Sequence, residues 1–252
     1  MTPTPSSRRW LLGLPIDPVT LAEAADWVSN AIGGPRPQLV VTLNPEIAVG
    51  AHDDEALRRA LRSADLSVAD GVGIAWAARR AGEALPGRVP GVDLTLEVLR
   101  RGGPDLRVFL LGGRPGVAER AATEVQRRFG STVVGARDGY FRRPEEVPEV
   151  CREVAASGCQ LLLAGLGQGQ ERFLRENDAA LAAPVMIGVG GTLDVLAGEV
   201  RRMPSWSSRL GVEWLLRVGL DPKRWRRIPR LLRFVMLVLA AGPDAYTRPP
   251  DD

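Results

Sequence analysis

One carboxylate stands where chemistry could happen. In Ala69-Asp70-Gly71-Val72-Gly73, Asp70 ends an apolar run, and the glycines after it leave room for a ligand beside it. Such a residue can take a proton from a hydroxyl, or it can cap the helix that follows at Ile74 to Ala81, and local sequence gives both roles equal standing. Thr42-Leu43-Asn44-Pro45-Glu46 has the same form, with two hydrogen-bonding side chains, Thr42 and Asn44, ahead of a proline-initiated helix. There capping is the default reading. Two glycine-rich turns, Leu111 to Gly116 with Gly112 and Gly113, and Gly188 to Thr192 with Gly190 and Gly191 ahead of Asp194, also follow apolar runs. Free backbone N–H groups in such turns can hold an anion such as a diphosphate, although a tight connection explains one glycine turn as well.

What the chain lacks narrows the chemistry further. A single histidine, His52, lies in the run His52-Asp53-Asp54-Glu55, which reads as a solvated helix start, so Ser-His-Asp and Cys-His arrangements find no support. Cys151 and Cys159 lack metal-ligand spacing and have no second histidine to join them, so neither a metal site nor a cofactor is expected. Acid and base work falls to carboxylates and amides. Two thiols and no secretory apolar region suggest a cytosolic protein.

The elements that must position these residues alternate. Apolar runs at Leu39 to Thr42, Leu66 to Ala69, Arg107 to Leu111, Thr132 to Val134, Leu161 to Ala164 and Val185 to Val189 are separated by amphipathic stretches of helical length. Strands apolar on both faces predict a Rossmann-like α/β fold, a mostly parallel sheet with helices on both faces, whose ligands lie at the carboxyl ends of the strands. A nicotinamide-dependent oxidoreductase would fit that sheet, but its G-x-G-x-x-G fingerprint is missing after the first strand.

The 252 residues, 45% hydrophobic and 25% charged, suit one globular domain with a small appendage. Residues 1 to 200 hold 22 Lys/Arg against 25 Asp/Glu, whereas residues 201 to 252 hold 11 against 5. The division is therefore an α/β catalytic domain over 1–200 and an Arg/Trp-rich helical appendage over 201–252 with a loose, Pro-rich end. Phe234 to Ala241 is too short to span a bilayer, so the basic appendage is expected to lie on an anionic membrane surface. An alternative is a non-catalytic, nucleotide-sensing body whose tail binds lipid or nucleic acid.

In order and spacing the motifs resemble the WecG/TagA/CpsF family, glycosyltransferase family 26. The resemblance runs through Gly13 to Asp17, Thr42 to Glu46, Ala69 to Gly73, Arg88 to Leu94, Val108 to Gly116, Gly139-Tyr140-Phe141, Gly165 to Glu171, Gly188 to Gly198 and the tail from Met203. It implies inverting, metal-independent transfer of N-acetylmannosamine, its uronic acid or a related hexose from a UDP-sugar to an undecaprenyl-diphosphate-linked acceptor, at the inner face of the membrane, with no nucleic-acid partner. By the same resemblance Asp70 is the base, and Thr42, Asn44, Arg88 and Gln170 are polar residues near donor and acceptor. Gly112, Gly113, Gly167, Gly190, Gly191 and Asp194 fall in nucleotide-binding turns, and Tyr140 falls beside the substrate. Arg217, Arg224 and Arg227 approach the diphosphate from the appendage, and the body is a candidate surface for homo-oligomer formation. The chain departs from the family at Gly165-Leu166-Gly167-Gln168-Gly169-Gln170-Glu171, one residue short, where Gln168 could take the place of Gln170.

Overall fold

The computed structural model describes residues 8–141, 144–200 and 228–247. Six of the apolar runs form one sheet: β3 (Gln38–Leu43), β4 (Leu66–Ala69), β5 (Arg107–Gly112), β6 (Thr132–Arg137), β7 (Leu161–Gly165) and β8 (Val185–Gly188). All pairings are parallel, in the order β4-β3-β8-β7-β5-β6. Alternate residues of each central strand enter two separate apolar layers. Leu39, Val41 and Leu43 of β3 join one, and Val40 joins the other. Both faces of the sheet are buried, which is why the strands read as continuous apolar runs rather than as alternating ones.

The first two strands, β1 (Arg9–Leu11) and β2 (Leu14–Ile16), were not among the expected elements. They form a hairpin whose two-residue turn, Leu12-Gly13, has positive φ at both positions (50° and 74°). That geometry matches the twist of an antiparallel pair, but a leucine at the first position hides it from a search for Asn-Gly turns. The hairpin is tied to the main sheet by Asp17, which is 1% exposed. Its carboxylate accepts from Arg8 Nε and Nη2 at 2.8 and 2.9 Å and from the Ser67 N–H at 2.8 Å.

The helices cover both faces. On one lie α1 (Leu21–Ala31), α5 (Gly91–Gly102), α6 (Val117–Phe129) and α10 (Thr192–Leu196). On the other lie α2 (Pro45–Asp53), α3 (Glu55–Arg62), α4 (Val72–Arg80), α7 (Val147–Ser157), α8 (Gln170–Glu176) and α9 (Asp178–Leu181). The run around His52 divides between two helices, with His52 in the last turn of α2 and Asp54 capping α3 through the Leu57 N–H. Strands β3, β8, β7 and β5 send their chains to alternating faces, through α2, α10, α8 and α6 in turn. Where neighbouring connections diverge in this way a cleft opens above the strand ends.

The last helix, α11 (Ile228–Ala241), packs on α2, burying Phe234 and Val238. Arg233 of α11 pairs with Asp53 of α2 at 2.5 and 2.6 Å. The strand β9 (Tyr246–Thr247) then pairs antiparallel with β1, and the Leu12 N–H donates to the Ala245 carbonyl at 2.7 Å. Residues 228–247 thus belong to the packed body. No helix among the described residues is long and apolar enough to cross a membrane.

Candidate active site

Above the carboxyl ends of β3, β7 and β8 lies a cavity of about 640 Å³. Thr42 stands at the end of β3, 5% exposed, its hydroxyl donating to the Gly188 carbonyl at 3.2 Å. A Cβ on Gly91 would come 3.1 Å from Thr42 Oγ1, so the start of α5 is pressed against this side chain. Two residues on, Asn44 accepts at Oδ1 from the Glu46 and Ile47 N–H groups at 3.0 and 3.1 Å. Capping α2 uses the oxygen of the amide and leaves its nitrogen end for a ligand. The capping reading of Asn44 holds, and the side chain also lines the cavity.

Asp70 continues the β4 edge, its N–H bonded to the Leu43 carbonyl at 2.8 Å, which sets it beside the Thr42–Asn44 strand end. The helix after it starts at Val72 with Gly71 as its cap residue and no side-chain capping bond. Gly71 has φ 89°, a region that favours glycine, and it rather than Asp70 occupies the cap position of α4. That carboxylate instead accepts from the Gly91 N–H at 3.3 Å and lines the cavity.

The opposite wall comes from β7, β8 and their turns. Gln170, 4% exposed, accepts at Oε1 from the Leu166 N–H at 3.3 Å and donates from Nε2 to Glu171 Oε1 at 2.8 Å. Both side chains lie against Gly188, where a Cβ would fall 2.8 Å from Gln170 Nε2 and 3.0 Å from Glu171 Oε1. Burial of Glu171 pushes its carboxyl above the usual carboxylate range, and the Gln170 hydrogen bond only partly offsets this. Gln168 lines the cavity as well as Gln170. It is exposed and accepts from Arg230 of α11 at 3.3 Å, whereas Gln170 is buried. Gly167, Gly190, Gly191 and Asp194 also border the cavity.

Other expected residues fall elsewhere. Arg88 meets Asn44 and Asp70 not in this cavity but in a second one beside it, bounded by α4 and α11. Gly112 and Gly113 share the same sheet edge but do not border the cavity. A Cβ on Gly112 would be 2.4 Å from the Gly165 carbonyl oxygen and one on Gly113 2.7 Å from Val117, so close packing accounts for both glycines. Tyr140 is 49% exposed, outside the cavity lining, in a turn where its N–H donates to Asp138. Arg217, Arg224 and Arg227 lie outside the described residues.

Among the lining residues given no role from the sequence are Glu171 and Arg230. Glu171 follows Gln170 at a helix start, where an acidic residue ordinarily serves the helix dipole, and only its 1% exposure marks it as different. Arg230 was one of ten basic residues in a basic segment. Among the described residues the cavity wall carries four carboxyls, Glu46, Asp70, Glu171 and Asp194, against one cation, Arg230. No group of three or more His, Cys, Asp or Glu that could hold a metal ion comes together among these residues. Cys151 and Cys159 are buried, and burial pushes both thiols up, away from nucleophile chemistry.

A parallel α/β body with a carboxylate and paired amides in a cleft above its strand ends has the layout of an enzyme that binds its substrate across the sheet edge. A family model for the glycosyl transferase WecG/TagA/CpsF family matches residues 9–247, and the chain belongs to that family. It is accordingly a glycosyltransferase.

Proposed function

We propose that the chain moves a sugar from a UDP-sugar to an undecaprenyl-diphosphate-linked acceptor with inversion at the anomeric carbon. The sugar is N-acetylmannosamine, its uronic acid or a related hexose, and the products serve cell-surface polysaccharide or teichoic acid synthesis. The observation that carries this reading is Asp70, a carboxylate at the strand edge that accepts from the first N–H of α5 and lines the cavity. In the step proposed, the acceptor hydroxyl oxygen attacks the anomeric carbon, Asp70 takes the hydroxyl proton, and the bond from that carbon to the UDP oxygen breaks. UDP leaves as the anion. The arrangement of β7, β8 and their glycine turns suits a Rossmann-like nucleotide site.

The leaving diphosphate needs positive charge, and the described wall is acid-rich. Arg230 supplies one cation. Arg217, Arg224 and Arg227 are proposed to supply the others, which makes the basic segment part of the catalytic site as well as the membrane contact. Transfer then proceeds without a metal, on the inner face of the cell membrane, by a peripherally bound protein.

The test is a screen of UDP-sugars with a short-chain prenyl-diphosphate-sugar acceptor, products read by mass spectrometry. Transfer from at least one donor, lost in Asp70→Asn with UDP binding retained, is the expected result. UDP binding with no turnover of any donor would make the chain a nucleotide-sensing module, and unchanged turnover in Asp70→Asn would remove Asp70 as the base.

A further inference from the structure

A second cavity, about 780 Å³, adjoins the first and shares Asn44 and Asp70 with it. Its two walls are helix faces set against each other. From α4 come Val72, Ala75 and Trp76, and from α11 come Leu231, Leu232 and Val235. In both helices the outer pair of these positions lies four residues apart and the third lies between them, one residue from an end, so each set shares one face. Gly73 and Phe234 lie between the walls. A Cβ on Gly73 would come 2.6 Å from Pro45, so a glycine here is what lets α4 approach the start of α2, and the Phe234 ring lies in ordinary contact beside it at 3.6 Å. The walls are apolar yet open, with Trp76 38% and Leu232 59% exposed. From Leu232 an exposed apolar stripe continues along α11 through Met236 and Leu239. An open apolar surface of this extent marks a binding site more often than a bare flank.

Its polar residues are Asn44 and Asp70, where it meets the first cavity, and two guanidinium residues, Arg79 and Arg88, that border it. Apolar walls, two cations and a carboxylate are the chemistries that a molecule built of lipid chain, diphosphate and sugar hydroxyl requires. The geometry points to this groove as the site of the acceptor's lipid chain. The segment of chain next to the diphosphate lies between α4 and α11, the diphosphate meets Arg79 and Arg88, and the sugar hydroxyl reaches Asp70. The stripe on α11 is then the side by which the lipid enters. This assignment rests on the transfer reaction proposed above, with Asp70 common to both.

The test uses the full chain and two probes, farnesyl diphosphate and methyl diphosphate, with binding measured by calorimetry. Farnesyl diphosphate is expected to bind at least about tenfold more tightly than methyl diphosphate, because several methylenes leave water. Ala75→Leu, which fills the groove, is expected to lower farnesyl diphosphate affinity about tenfold while methyl diphosphate affinity holds. Leu232→Gln changes an exposed position that the fold does not need, and it is expected to lower the same affinity severalfold. A photoreactive farnesyl diphosphate should label peptides of α4 and α11. Equal affinity for the two probes, equal effects of the variants on both, or labelling confined to other elements would overturn the assignment. So would sedimentation showing that Leu232→Gln dissociates an oligomer, since a second copy would then be the occupant. The outcome is separable from that of the catalytic reading. Farnesyl diphosphate binding that Ala75→Leu weakens, without turnover of any UDP-sugar, leaves the groove standing and removes the reaction. Turnover indifferent to acceptor chain length removes the groove alone.

Discussion

Asn at position 70 keeps the shape of the side chain and an oxygen to accept from the Gly91 N–H, but it cannot take up a proton from an acceptor hydroxyl. Asp70→Asn is therefore expected to lower kcat by about a hundredfold to ten-thousandfold with UDP affinity nearly unchanged, measured by steady-state transfer and by calorimetry. Glu171 is a carboxyl in the opposite situation, 1% exposed with one amide partner, and burial raises its pKa above the ordinary 4.5. In the window between that value and the higher folded one, the native state binds more protons than the unfolded chain, so stability falls as pH rises. Glu171→Gln keeps an oxygen to accept from Gln170 and removes the titration. Its denaturant midpoint relative to wild type should rise as pH is raised from about 4.5 toward neutrality. A difference independent of pH would show that burial does not control this group. Since Glu171 fixes the orientation of Gln170, Glu171→Leu should leave Gln170 with one partner fewer and raise KM for the donor more than Glu171→Gln does.

At the scale of elements, the site depends on glycine strand ends and on one docked helix. Gly188 lets Gln170 and Glu171 approach the end of β8, and Gly91 lets α5 approach Thr42. The helix α11 is held mainly by Phe234, 1% exposed, since the Arg233–Asp53 pair is about half exposed on both sides and contributes little. Phe234→Ala is expected to lower the stability of α11 docking by about 3 kcal/mol or more, seen as lost amide-exchange protection over 228–241 while β3 and β8 stay protected. Uniform loss across the sheet would mean that α11 is part of the global folding unit. The helices and central strands of this architecture were legible because burial on one or two faces writes itself into local apolar spacing. The β1–β2 hairpin was not. Its short strands carry little periodicity, and its turn has leucine where a sequence reader looks for asparagine or glycine.

For the whole molecule, the last described strand pairs with the first, β9 with β1. With β9 paired to β1 and α11 packed on α2, deleting residues 201–252 would strip body elements together with the basic segment. Charge removal is the cleaner probe of membrane contact. The triple variant Arg217→Gln, Arg224→Gln, Arg227→Gln is expected to lower partitioning onto anionic vesicles by about a hundredfold, at roughly 1 kcal/mol per cation, in flotation against neutral vesicles. The same variant should raise KM for the UDP-sugar if those arginines also face the diphosphate. Unaltered flotation would place the membrane contact elsewhere, with the apolar stripe of α11 as the next surface to vary.

By itself the sequence determined the alternation of strands and helices, the parallel character of the sheet, the strand-edge position of the candidate residues and the charge contrast between body and tail. These follow from local composition and spacing, which one segment carries without reference to another. Only the tertiary structure decided that Thr42, Asp70, Gln170 and Asp194 share one cavity, that Gly71 rather than Asp70 occupies the cap position of α4, and that Gly112, Gly113 and Tyr140 stand apart from the cavity. Those outcomes depend on the strand order β4-β3-β8-β7-β5-β6, which sets residues far apart in the chain side by side. Strand order is settled by the packing of all the helices at once, and no single segment records it.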